Sequence, residues 1–145
     1  MRRSGVWLLL LSCAHTEERV DWKSAGSGLL TGIEDKRCGW KHFRDAAVYD
    51  EFRKTHSDVE GRGKRDAHGV PLPDFDFSQR ELVIVWAGTM YRTLEIVSVK
   101  PGVIEARETM PSFNEDEAQR MLGAGNCEMI SVPRTGKPVE VRWRK

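Results

Sequence analysis

Short apolar runs separated by polar stretches predict the elements of this chain. Leu29, Leu30 and Ile33 predict a short first strand, and Cys38–Phe43 a second. Asp45 has the side chain of an N-cap, because its carboxylate can accept from the free amides of a first helical turn. A helix then follows over Ala46–Lys54, with Val48 and Phe52 four positions apart on one face and Arg53 and Lys54 at the negative end of its dipole. Residues 55–69 carry almost nothing apolar and three glycines, which predicts an exposed loop. The character changes at Leu82–Trp86, a continuous apolar run of strand length that predicts burial on both faces. Gly88–Tyr91 reads as a turn into Thr93–Val99, and Pro101-Gly102 suits the central positions of a type II turn before Val103–Arg107. Three strands in series with short turns predict an antiparallel meander. Within the polar stretch 110–125, Glu115–Leu122 has the spacing of a helical turn. Cys127–Val132 ends at Pro133, and in Val139–Trp143 apolar residues alternate with Glu140 and Arg142, the mark of a strand with one wet face. The predicted fold is mainly β, a small antiparallel β-sandwich or open barrel of about seven strands with one α-helix.

Composition bounds the function. The 145 residues suffice for one domain, and 23 basic against 22 acidic side chains leave a net charge of +1, with no overall field to attract nucleic acid or an anionic membrane. The densest basic cluster, Arg62, Lys64 and Arg65, is interrupted by Gly63 and followed by Asp66, and reads as a solvated loop. Met1-Arg2-Arg3 and the apolar run Gly5–Leu11 have the form of a signal peptide over residues 1–12. The run is much shorter than the roughly 20 apolar residues that span a bilayer. Leu10-Leu11-Ser12-Cys13 resembles the bacterial lipobox, which implies cleavage after Ser12 and acylation of Cys13. Acyl chains contribute about 0.8 kcal/mol per buried methylene, enough for stable anchoring when several are attached. Ala14 rather than Asp after the cysteine points, by analogy with enterobacterial sorting, to the outer membrane, facing the periplasm or the exterior. Residues 13–27 then form a lipidated N-terminus and tether, and 28–145 the β domain. Losing Arg2 and Arg3 leaves 21 basic against 22 acidic side chains, so the mature chain carries −1.

Export implies an oxidising compartment. With Cys13 acylated, Cys38 and Cys127 allow a single intrachain pairing, and a disulfide is the expected state, with two separately buried thiols the alternative. Such a bridge closes a loop of about 90 residues, worth about 4–5 kcal/mol in the chain-entropy model. Neither cysteine lies in a C-x-x-C pair or near a histidine at ligand spacing, so no metal and no cofactor are expected.

Pro73-Asp74-Phe75-Asp76-Phe77-Ser78, the strand ending at Gly88, the strand Leu94–Val99, and the ending Val132-Pro133 with Lys137-Pro138-Val139-Glu140 resemble the C-terminal domain of PrcB-like protease-complex subunits. Trp40–Phe52 resembles the strand-to-helix unit that precedes that domain, so the resemblance covers residues 28–143. It implies a non-catalytic role in association with an exported protease or another envelope protein. The family's Thr-Gly-Gly-Tyr-like hairpin is replaced here by Thr89-Met90-Tyr91-Arg92 after Gly88, so a family contact at that place does not transfer. An apolar hairpin tip is nonetheless a usual contact site, and Thr89, Met90, Tyr91 and Arg92 are the candidate partner-binding residues, with insertion of Tyr91 into the core the alternative.

Catalytic chemistry has thinner support. His15 lies in the tether, His56 and His68 flank the polar loop, and His42 is in a strand, with no metal or catalytic spacing among them. Asp74 and Asp76 can project to one side of an extended segment as paired carboxylates or a calcium site, but calcium needs more oxygens than the pair supplies, and the alternating Phe75 and Phe77 explain the same spacing as a half-buried strand. Ser78 and Ser131 have no visible base, and no phosphate-binding loop, nucleophile elbow or dinucleotide fingerprint is present. The expectation is a lipid-anchored cell-envelope protein that binds a protein partner, with a protease complex as the implied class and no nucleic acid or small-molecule substrate indicated. Two alternatives are an Ig-like protease inhibitor using the loops near 88–92 and 110–125, and a small envelope hydrolase using Asp74 or Asp76.

Overall fold

The computed structural model describes residues 20–33, 37–56, 72–89, 92–109 and 124–145. Its elements are β1 (Lys23–Thr31), β2 (Gly39–Phe43), α1 (Ala46–His56), β3 (Arg80–Trp86), β4 (Thr93–Lys100), β5 (Val103–Thr109), β6 (Ala124–Pro133) and β7 (Glu140–Arg144). Strand β3 explains the architecture. Leu82 and Ile84 face one way and Val83 and Val85 the other, and all four are fully buried, so both faces of its sheet must be covered. The covering layers are α1 on one side and a second sheet on the other.

The first sheet has the order β1-β6-β3-β2 with every pair antiparallel; the second has the order β4-β5-β7. On the helix side, Phe43, Leu82, Ile84 and Met129 meet Tyr49 and Phe52, with Phe43 edge-on to both aromatic rings. Between the sheets, Val83, Val85 and Ile130 meet Ile104, Ala106 and Val141, flanked by Trp40 and Trp143. The result is a mainly β fold, a small β-sandwich with seven strands and one helix among the described residues, as the apolar pattern predicts.

The helix begins as expected, with Asp45 Oδ1 accepting from the Val48 amide at 3.0 Å. Its buried face differs. Phe52 packs inward with Tyr49, while Val48 is 45% exposed. Tyr49 brings a larger ring to the core, and its hydroxyl donates to the Pro73 carbonyl at 2.7 Å, so burial leaves no polar group unpaired. The helix also continues to His56, whose ring stacks on Phe52.

Three further expectations are corrected. Lys23–Ser27, assigned by composition to the tether, form the first half of β1, paired with β6 from Lys23 opposite Ser131. The small side chains fit that place: at Gly26 a Cβ would lie 2.7 Å from the Met129 methyl. The meander is broken, because β3 belongs to the first sheet and β4 to the second, so the chain changes sheet between Trp86 and Thr93. Of these three strands β4 and β5 alone form a hairpin, closed at Pro101-Gly102 with Gly102 at φ 75° as a type II turn requires. Finally, β7 pairs with β5 in parallel, so the sandwich is not wholly antiparallel. The signal segment and Cys13, most of the polar loop and the helical turn at 115–122 lie outside the described residues.

Candidate functional site

Strand directions give the sandwich two distinct ends. At one, the chain enters at Val20 and the turns 100–102 and 134–139 reverse it; at the other, β3 ends, β4 begins, β5 ends and β6 begins. We call these the entry end and the crossover end.

The crossover end is held by a small polar frame. The Ala87 amide donates to the Asn126 carbonyl at 2.8 Å, and Asn126 Nδ2 donates to the Arg92 carbonyl at 2.7 Å, so one residue of β6 fixes both flanks of the crossing. Arg92 Nη1 donates to Glu108 Oε1 at 2.6 Å, and the Arg92 amide donates to the Thr89 carbonyl at 3.3 Å. Thr93 and Thr109 join hydroxyl to hydroxyl across the first rung of β4 and β5. Of the four candidate contact residues, Thr89 and Arg92 therefore belong to this frame, and Met90 and Tyr91 lie outside the described residues.

Cys38 also stands at this end. Burial pushes its thiol pKa up, and the hydrogen bond to Glu108 pushes it further. Cys127 is instead in the helix-side core, where burial raises it to about 11. The expected Cys38–Cys127 bridge is not formed, and both are free thiols. Register gives the reason. Gly39 is opposite Trp86, and Trp86 is opposite Cys127, so β3 stands between the two cysteine-bearing segments. Two strand spacings are about 9.5 Å, beyond the roughly 7 Å between α-carbons that a disulfide can bridge. The thiols also face opposite sides of the sheet, one near Glu108 of the second sheet and the other among the residues under the helix.

Among the described residues, the most buried polar pair is one that sequence reasoning did not assemble. Glu81 is 1% exposed, and its Oε2 accepts from His42 Nε2 at 2.7 Å, with Arg44 Nε 3.9 Å from Oε1. The Val139 amide donates to His42 Nδ1 at 3.3 Å, which fixes the tautomer with its proton on Nε2. Both ring nitrogens are thus occupied, one by a carboxylate and one by the backbone leading into β7. The arrangement ties the two sheets together and offers no lone pair to a substrate. The sequence signal was Glu81 immediately before a run buried on both faces; its partner becomes visible only through the β2–β3 register.

Asp74 and Asp76 are not brought to a common point. Asp74 Oδ1 accepts from Arg53 at 2.7 Å, while Asp76 Oδ1 accepts from the Ser78 amide at 2.9 Å, and that hydrogen bond lowers the Asp76 pKa. Phe75 and Phe77 turn inward and meet edge to face, as their alternation predicts. Ser131 Oγ is engaged by Arg80 Nε at 2.6 Å. Among the described residues, no group of three or more His, Cys, Asp or Glu is placed to hold a metal, and no helix is long and apolar enough to cross a membrane.

At the entry end a cleft of about 850 Å³ opens between the sheets, floored by Ile104, Val132 and Val139. Comparison of the chain with protein-family models, curated proteins and solved structures finds no match.

Proposed function

We propose that this chain is a lipid-anchored protein of the cell envelope whose β domain binds another protein, without catalysing a reaction, through its crossover end. The observation that carries this reading is the opposition of the two ends: the described chain begins at Val20 on one, and β3 of the first sheet ends and β4 of the second begins on the other. A domain attached through Cys13 holds its crossover end away from the membrane. The frame of Asn126, Arg92 and Glu108 fixes the flanks of that crossing, which lowers the entropy cost of presenting it to a partner. The broad faces are already occupied. The helix covers one, and on the other Glu95–Arg107, Glu105–Arg144 and Glu140–Arg142 pair the charges across the outer side of the second sheet. The resemblance to PrcB-like subunits supplies the partner class, an exported protease or a subunit of its complex, and the anchor raises local concentration at the membrane.

Two measurements test the reading. Palmitate label is expected on the wild-type chain and absent in Cys13→Ser; label that persists overturns the anchor. A photo-crosslinking residue in place of Tyr91 is expected to give a discrete protein adduct in native envelopes, and one in place of Thr109 a weaker copy of it. Adducts absent from both, in protein with an unchanged circular dichroism spectrum, overturn the crossover end as the contact site.

A further inference from the structure

We propose that the entry end is a docking surface for an anionic phospholipid bilayer, so that the domain is seated on the membrane and not merely tethered above it. Three features converge there. The first is the cleft itself, whose apolar floor is bordered by Val20, Val99, Pro101 and Pro138. Apolar surface left open between two packed sheets is a recognised mark of an interaction site. The second is charge. Lys100 and Lys137 both line the cleft and stand exposed, one at the end of β4 and one on the loop before β7. The nearby carboxylates are already engaged, Asp21 by Arg80 at 3.2 Å, Glu140 by Arg142 at 3.4 Å and Glu105, which lies within electrostatic reach of Lys100, by Arg144 at 2.7 Å, which leaves the border with a positive balance. The third is Trp22, which is 42% exposed beside Asp21. An indole open to solvent at the base of a domain is placed as interfacial tryptophans are, with an apolar ring and a polar N–H for the headgroup boundary.

Chain geometry selects the bilayer over a protein as the occupant. The described chain begins at Val20 on the border of this cleft, immediately after the segment that carries Cys13 and the apolar run Val6–Leu11. Seven residues from Cys13 to Val20 reach about 25 Å at most, so an anchored domain has this end, and not the crossover end, next to the headgroups. A basic, apolar-floored surface at that distance meets anionic lipid at high effective concentration. The orientation rests on the anchored reading above; the lipid preference of the surface does not.

The test uses the full chain reconstituted into vesicles of phosphatidylethanolamine and phosphatidylglycerol, or of phosphatidylcholine alone. A photo-crosslinking residue replaces Pro138 on the cleft border or Thr109 at the opposite end. Lipid adducts are expected from position 138, about tenfold fewer in phosphatidylcholine or when Lys100→Glu and Lys137→Glu are combined, and few from position 109 in any vesicle. Equal lipid adducts from the two ends, or adducts at 138 that ignore both lysines and headgroup charge, overturn the proposal. A protein adduct in place of lipid at position 138 in native envelopes also overturns it and makes the cleft a polypeptide site. The vesicle comparisons read headgroup charge and the two lysines directly, and they do not depend on acylation of Cys13. Palmitate labelling can therefore fail, and with it the anchor, without deciding the lipid preference of this surface.

Discussion

His42 and Glu81 show how a charged side chain is kept inside a small sandwich. The carboxylate keeps a donor at 2.7 Å and the imidazole keeps a donor from the backbone, so neither is left unpaired. Removing either partner has unequal consequences. His42→Ala leaves a buried carboxylate with only Arg44 at 3.9 Å, and about 3 kcal/mol of stability is expected to be lost. Glu81→Gln keeps an acceptor for Nε2–H, with a loss nearer 1 kcal/mol. Urea unfolding midpoints of the two variants separate these outcomes, and equal losses would mean that burial of charge is not what the pair manages. Alkaline pH probes two other buried groups. Burial raises Cys127 to about 11 and Tyr49 to about 12. Both values lie above those of an unfolded chain, about 8.5 for a thiol and about 10 for a phenol, so the folded state binds these protons more tightly. Their contribution is complete below the unfolded values and is lost as pH rises toward the folded ones. Wild-type stability is expected to fall between about pH 9 and about pH 11, and Cys127→Ala to start lower but fall less steeply over that window. Parallel curves from denaturant titrations would remove the thiol from the account.

At the scale of elements, two close approaches differ in what must yield. A Cβ on Gly125 would lie 2.0 Å from the Ala87 carbonyl oxygen, whereas one on Gly39 would meet the Trp86 ring at 2.6 Å. A ring can rotate; the carbonyl belongs to the start of the crossover, where the adjoining amide is bonded to Asn126. Gly125→Ala is therefore expected to cost about 2–3 kcal/mol and to speed proteolysis near residues 87–92, and Gly39→Ala about 1 kcal/mol with no such cleavage. The same elements show what the amino-acid pattern discloses. Leu82–Trp86 was legible because apolar residues at every position require cover on both faces, and Asp45 because its side chain has one obvious local use. Lys23–Ser27 were not, since Ser, Ala and Gly carry no hydrophobic period and this half of β1 is held by backbone pairing with β6. Gly88–Tyr91 has the composition of a turn whether the chain folds back or crosses to another sheet. The parallel neighbour of β5 lies beyond a long connection, and nothing local to Val139–Trp143 announces it. Glu81 and His42 fell to the same limit, because their meeting depends on a register that neither strand encodes alone.

For the molecule as a whole, the pairing of β1 with β6 sets where the folded unit begins. Strand β6 lies between β1 and β3, and its register with β1 runs from Lys23 opposite Ser131 to Thr31 opposite Ala124. Just before it, Asp21 accepts from Arg80, and Arg80 holds the side chain and carbonyl of Ser131. The N-terminal strand thus completes a sheet edge whose partner is about a hundred residues away, a long loop closure of the kind that slows folding. Deleting residues 1–19 leaves all of these contacts in place, and the shortened chain is expected to unfold at the same urea concentration as the full one. Deleting residues 1–27 removes Asp21 and the β1 pairings opposite Glu128, Met129, Ile130 and Ser131, at about 1 kcal/mol for each net hydrogen bond lost, so a fall of about 2–4 kcal/mol is expected. It also opens the edge of β6 along an apolar stretch that includes Met129, and an unpaired edge of that kind recruits other strands. Light scattering during refolding should therefore rise for the chain starting at Gly28 and not for the one starting at Val20. Equal midpoints and equal scattering would return Lys23–Ser27 to the tether that their composition suggests.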